Sequence, residues 1–106
     1  MKQIAVVAVM VGLAWTPFSQ AQDAAKAEAS LKSGGCLKCH SVSADKDGPS
    51  YKKVAAMYKG NADAPAKLEG ELKKGAMKVD GKDAKHAAFK GSDADLKNVV
   101  QYILSR

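Results

Sequence analysis

Five consecutive residues, Cys36-Leu37-Lys38-Cys39-His40, carry the most pointed chemistry in this 106-residue chain. Two cysteines separated by two residues put both sulfurs on one edge of a helical turn. From there they can add across the two vinyl groups of a haem, and the histidine that follows reaches the iron over the face of the ring. These are the only cysteines, and His40 and His86 are the only histidines, so this use leaves no thiol over. Other chemistries fit less well. A thioredoxin-like pair would follow a strand in a βαβ pattern, and no such pattern is legible. Structural zinc needs about four ligands, which Cys36, Cys39, His40 and a distant His86 would have to supply between them. A disulfide across two residues would be strained and would leave His40 without a role. The reading is one haem c, with Cys36 and Cys39 as covalent anchors and His40 as an iron ligand.

The elements that must position this motif read as helices, with no strand. Asp23 can cap a helix over 24–33 that Gly34-Gly35 ends just before Cys36. Residues 41–49 are polar and close on Gly48-Pro49, a loop. Ser50 caps a short helix over about 51–59, with Tyr51, Val54, Ala55 and Tyr58 on one side and Gly60 as its stop. Asp63 opens a third helix with Pro65 in its first turn, where a missing N–H costs nothing; Leu68 and Leu72 share a face and Gly75 ends it. Residues 76–91 read as a glycine- and lysine-bearing loop without period. The last helix starts from a Ser92/Asp95 capping box. Its apolar stripe is Leu96, Val99, Val100, Ile103 and Leu104. An all-α single domain of four to five short helices wrapped around the haem follows.

The amino terminus reads as a segment apart from that domain. Lys2 is followed by twelve apolar or glycine residues, Ile4 to Trp15, and then by a polar stretch with small residues at 19 and 21. This is the pattern of a secretory signal peptide, residues 1–21, cut after Ala21. Twelve apolar residues are too few to cross about 30 Å of hydrocarbon as a helix, so no stable membrane insertion is expected after cleavage. Covalent haem attachment of this kind belongs outside the bacterial cytoplasm, so a periplasmic location follows. The domain would be residues 22–106, near the small end for a self-sufficient core. Leu31, Val42, Val54, Val79, Phe89 and the last-helix stripe are its main apolar residues. A haem would supply much of the interior, so the apo-protein is expected to be largely unfolded.

Without Lys2 the balance is 16 basic to 11 acidic residues, a net charge of +5. The lysines are spread among acids, the one arginine is the last residue and aromatics are few. A nucleic-acid partner is therefore not expected. A positive face around an exposed haem edge, steering an acidic redox partner, is the functional form of this charge.

The haem motif and the stretch Gly48-Pro49-Ser50-Tyr51-Lys52-Lys53-Val54-Ala55-Ala56 resemble those of bacterial monohaem class I cytochromes c of the small, short-loop type. The likeness covers residues 24–106. It implies that the Pro49 carbonyl accepts the ring N–H of His40, which fixes the tautomer. It also implies that the terminal helices cross, with Leu31 and Gly34 near Val99 and Tyr102. Where the family carries a methionine as sixth ligand, 46 residues past His40 and six before Ser92, this chain has His86, flanked by Lys85 and Ala87. The family's tryptophan in that loop is absent as well.

His40/His86 ligation is thus the expected pair, with a reduction potential below that of His/Met relatives. Two other states stand beside it: Met77 as sixth ligand, and a weakly held distal site at which a small molecule such as nitric oxide binds. Met57 lies on the histidine side and is poorly placed. The expected role is one-electron transfer between redox proteins, without enzyme activity of its own. A haem-based ligand sensor and the haem subunit of a larger dehydrogenase are the alternatives.

Overall fold

The computed structural model describes residues 23–79 and 81–106, together with Gly12. The expected signal peptide otherwise lies outside the described residues. Four helices form: α1 (Ala24–Ser33), α2 (Tyr51–Met57), α3 (Ala64–Lys74) and α4 (Asp93–Leu104), with a 3-10 turn over Cys36–Lys38. The helix punctuation acts as the residue types dictate. Asp23 Oδ1 accepts the Lys26 N–H at 3.0 Å, Ser50 Oγ that of Lys53 at 3.1 Å and Ser92 Oγ that of Asp95 at 3.1 Å. Each satisfies a donor that the first helical turn would leave bare. Pro65 sits in the first turn of α3, and Gly75 closes that helix in the left-handed region at φ 69°. Helix α2 stops two residues earlier than expected, at Met57.

Helix α4 is the centre of the domain, because α1, α2 and α3 all pack on it. Its stripe is buried at Leu96, Val99, Val100 and Ile103, and Tyr102 joins it. One cluster gathers Ala27, Leu31, Tyr51, Val99, Tyr102 and Ile103; a second gathers Leu68, Leu96 and Val100. Where α1 packs on α4, Ala27 is 0% exposed and shares a cluster with Val99, Tyr102 and Ile103. A residue as small as alanine lets two helices approach closely there. Gly34 caps α1, its N–H donating to the Ser30 carbonyl at 2.9 Å. A Cβ at Gly34 would lie 3.0 Å from the Ser30 carbonyl and 3.5 Å from Cys36 Sγ. Val42, counted toward the core, is 39% exposed in the loop before α2. Val79 ends a strand, and its side chain lies outside the described set.

Polar clamps complete the crossing. Asp23 N–H donates to Asn98 Oδ1 at 2.8 Å and Asn98 Nδ2 donates to the Asp23 carbonyl at 3.0 Å, a reciprocal pair. Tyr102 donates its hydroxyl to Glu28 Oε1 at 3.1 Å. The Arg106 guanidinium lies 4.1 Å over the Tyr102 ring.

The region read as a loop without period contains a β-hairpin, which corrects the expectation of no strand. Strands β1 (Ala76–Val79) and β2 (Lys82–Lys85) pair antiparallel, with Ala76 opposite Lys85 and Met77 opposite Ala84. The missed signal is the Asp80-Gly81 dipeptide between them, a strong short hairpin cue; Gly81 has φ 77°. The strands themselves hid, since of their residues only Val79 is β-branched. Among the described residues no helix is long and apolar enough to cross a membrane.

Substituting Leu96→Ala, at 2% exposure between α4 and its partners, should cost the holoprotein about 2–5 kcal/mol. Met57→Ala, at 65% exposure, should stay within about 0.5 kcal/mol. Urea unfolding of both variants checks the pair.

Candidate functional site

The attachment turn starts where α1 is broken. Gly35 takes φ 73°, and Cys36–Lys38 then form a single 3-10 turn. The Cys36 carbonyl accepts the N–H of Cys39 at 3.3 Å and of His40 at 3.0 Å. This folds the two cysteines and the histidine onto one turn. Neither thiol is in a disulfide; Cys36 is half-buried and Cys39 exposed. Burial pushes the Cys36 thiol up, against a smaller lowering by a backbone hydrogen bond. Among the described residues no three His, Cys, Asp or Glu groups converge on a metal-ion site, so the zinc reading finds no ligand set.

Loop 41–49 is a strap that returns to the histidine. Gly48 N–H donates to the Cys39 carbonyl at 2.8 Å, and the N–H groups of Tyr51 and Lys52 to the Ser41 and Val42 carbonyls at 2.9 and 3.0 Å. Lys46 Nζ reaches the Leu37 carbonyl at 3.2 Å. Asp45 Oδ1 accepts the Ser50 N–H at 2.8 Å, and its Oδ2 lies 3.6 Å from Lys53 Nζ. The Ser50 amide, then Lys53, hold the Asp45 carboxyl below its usual value. The strap delivers the Pro49 carbonyl to His40 Nδ1 at 2.7 Å, the contact the resemblance implies. Tyr51, 3% exposed, stacks on the His40 ring at 5.3 Å and 22°. Burial, and next the nearby Cys36, push its phenol well above the usual range.

On the far side stands His86, immediately after β2. Its N–H donates to the Gly75 carbonyl at 2.9 Å, and its Nδ1 lies 2.8 Å from the Ala87 carbonyl. A carbonyl can only accept, so in both histidines Nδ1 carries the hydrogen and Nε2 keeps its lone pair. The two ring centroids lie 6.0 Å apart, with the planes tilted by 36°. Two imidazoles that bind one metal from opposite faces, through bonds of about 2 Å as in zinc sites, have centroids roughly 6 Å apart. The residues therefore fit a haem iron between them, with Cys36 and Cys39 beside His40 to anchor the ring.

Of the residues singled out from sequence, Cys36, Cys39, His40, Pro49 and His86 come together. Met77 lies half-buried on β1, and Met57 is exposed on α2. Gly48 was missed as a contact. A Cβ there would run into His40 Cε1 and stand 2.8 and 2.9 Å from Nδ1 and Nε2. The sequence signal was its place before Pro49, which marks a turn but not the ring against it.

The family model for cytochrome c matches residues 24–106. Cytochrome c-552 of Hydrogenobacter thermophilus is 40% identical over 105 residues, covering 99% of this chain and 98% of its own. Cytochrome c2 of Rubrivivax gelatinosus is 41% identical over 83 residues, 76% of this chain and 96% of its own. The crystal structure of the class 1 cytochrome MtoD from Sideroxydans lithotrophicus superposes with a TM-score of 0.72 at 44% identity. It covers 80% of this chain and 97% of that one.

Two outcomes test the proximal side. Gly48→Ala forces a methyl group into the His40 ring and should destabilise the holoprotein by about 1–3 kcal/mol, read by denaturant unfolding. Asp45 has a folded pKa below its unfolded value, about 3.9. Its contribution is therefore full above that value and is lost as pH falls through the folded pKa. The stability gap between the parent and Asp45→Asn should stay constant at neutral pH and shrink in acid titration below about pH 4. A gap that does not change with pH would refute the assignment.

Proposed function

Because the chain belongs to the cytochrome c family, we propose that it carries single electrons between redox partners, with His40 and His86 as the axial ligands. Membership brings one covalently attached haem c, whose iron supplies the one-electron couple. Cys36 and Cys39 hold the group by thioether links to its two vinyl carbons. The observation that carries the ligand assignment is the pair of imidazoles 6.0 Å apart, each tied at Nδ1 to a carbonyl.

The consequences follow from what each side chain donates. A thioether sulfur favours ferrous iron; a second imidazole favours ferric iron and lowers the potential relative to a His/Met pair. Hydrogen bonding of Nδ1–H to the Pro49 and Ala87 carbonyls raises the basicity of both rings. Electron exchange asks no proton transfer and no nucleophile of the chain, so the protein acts as a carrier and not as an enzyme on its own. A net charge of +5 beyond residue 21 suits acidic partners by speeding their encounter. The signal-peptide pattern of residues 1–21 and the attachment motif together support export to the periplasm. A ligand-sensing role would need His86 to leave. Its backbone bond to Gly75 and its ring bond to Ala87 favour the carrier.

Absorption spectra of the ferric and ferrous protein test the ligand pair directly. A low-spin spectrum without a sulfur-to-iron charge-transfer band is expected; such a band would transfer the role to Met77. His86→Met should raise the midpoint potential by more than about 59 mV, one tenfold step in a one-electron equilibrium. An unchanged potential and spectrum would exclude His86.

A further inference from the structure

We propose that the β1–β2 hairpin selects the distal residue: its register carries His86, and not a neighbour in sequence, to the side facing His40, with Gly75 as the positioning residue at its base. The inference rests on His86 being an iron ligand.

The ladder pairs Ala76 with Lys85 and Met77 with Ala84. The His86 N–H donates to the Gly75 carbonyl at 2.9 Å, which extends the pairing one step beyond the strands and sets Gly75 opposite His86. Partners across a ladder share a face, and faces alternate along each strand. Gly75, Met77, Ala84 and His86 therefore form one face. Ala76, Lys78, Asp83 and Lys85 form the other. Exposure follows this division toward the base of the hairpin: Gly75, Met77, Ala84 and His86 are half-buried and Ala76, Lys78, Asp83 and Lys85 exposed, while Lys82, on the first face at the tip, is exposed. A slip of one residue would bring Lys85 or Ala87 to the inner face and turn His86 out.

The base of the hairpin is fixed from both sides by α3. Gly75 closes that helix at φ 69°. A Cβ at Gly75 would stand 2.8 Å from the His86 carbonyl, 3.2 Å from Ala88 Cβ and 3.3 Å from the Ala88 nitrogen. Only glycine meets both the left-handed backbone and this close approach. Past His86, the Phe89 N–H donates to the Leu72 carbonyl at 2.8 Å, so the chain runs back along the last turn of α3. His86 is bracketed between these two attachments. The register from Met77–Ala84 down to the base then decides the ligand, and the length of the arm beyond it does not.

The test compares four variants of the holoprotein by ferric spectrum and by carbon monoxide uptake of the ferrous form. Deletion of Ala84 shifts β2 by one residue. It should yield a high-spin ferric component and an apparent carbon monoxide affinity raised at least roughly tenfold, because the open state is no longer rare. Removal of Lys78 and Asp83 together shortens the ladder by one matched pair and should stay within about twofold of the parent. Gly75→Ala, which leaves the chain length alone, should move both readouts in the direction of the Ala84 deletion. It decides the matter if that deletion yields no holoprotein. Parent-like spectra and uptake in both Gly75→Ala and the Ala84 deletion would overturn the proposal. His86→Ala separates the two layers: if it too behaves like the parent, the ligand assignment fails; if it opens the site while the register variants do not, the register does.

Discussion

An imidazole can offer its Nε2 lone pair to a metal only while its proton is kept on Nδ1. Both histidines of this chain meet that condition through a backbone carbonyl, Pro49 for His40 and Ala87 for His86. A carbonyl cannot change role with pH, whereas a carboxylate could. The choice fixes each tautomer by geometry alone. Much of the surrounding structure serves to deliver these two carbonyls and the rings that use them. The strap of residues 41–49 exists to return Pro49 to the turn it left, and the hairpin returns His86 to the end of α3.

The two delivery devices differ in kind. The strap is held by several polar contacts that each satisfy a loop group: Asp45 with Ser50, Lys46 with the Leu37 carbonyl, Gly48 with the Cys39 carbonyl. The hairpin is held by a ladder and by one glycine without room for a side chain. Both hang from helices that share α4 as their common packing surface. Changes in the apolar stripe of α4 therefore reach both faces of the site, although no residue of that stripe touches either imidazole by the contacts described above. With a small core, much of the positioning falls to hydrogen bonds that end on backbone groups.

What could be read from the sequence tracks how local its cause is. Cys36, Cys39 and His40 were legible because their spacing is itself the chemistry. The caps at Asp23, Ser50 and Ser92 were legible because a hydroxyl or carboxylate three residues before a bare N–H has one main use. His86 was legible only by its register against a family in which another residue stands there. The hairpin was not, because Ala76, Met77, Lys78 and Lys82 to Lys85 have weak strand preference. Their pairing comes from the Asp80-Gly81 dipeptide and the anchorage on α3. That Leu31 packs with Val99 and Tyr102 was legible only through the resemblance, in which the terminal helices cross. Ala27, one of many alanines in α1, gave no sign that it would be the residue buried at that crossing.

The clamps between Asp23 and Asn98 and between Glu28 and Tyr102 join residues 75 and 74 positions apart. In an unfolded chain, meeting across such a span costs about 4 kcal/mol of closure entropy before any contact rewards it. The hairpin needs no such encounter, since its two strands are neighbours in sequence. The crossing of α1 on α4 is thus a non-local event, of the kind that slows folding. Its closure joins the first and last helices of the domain, so the fold is complete only when α1 and α4 meet.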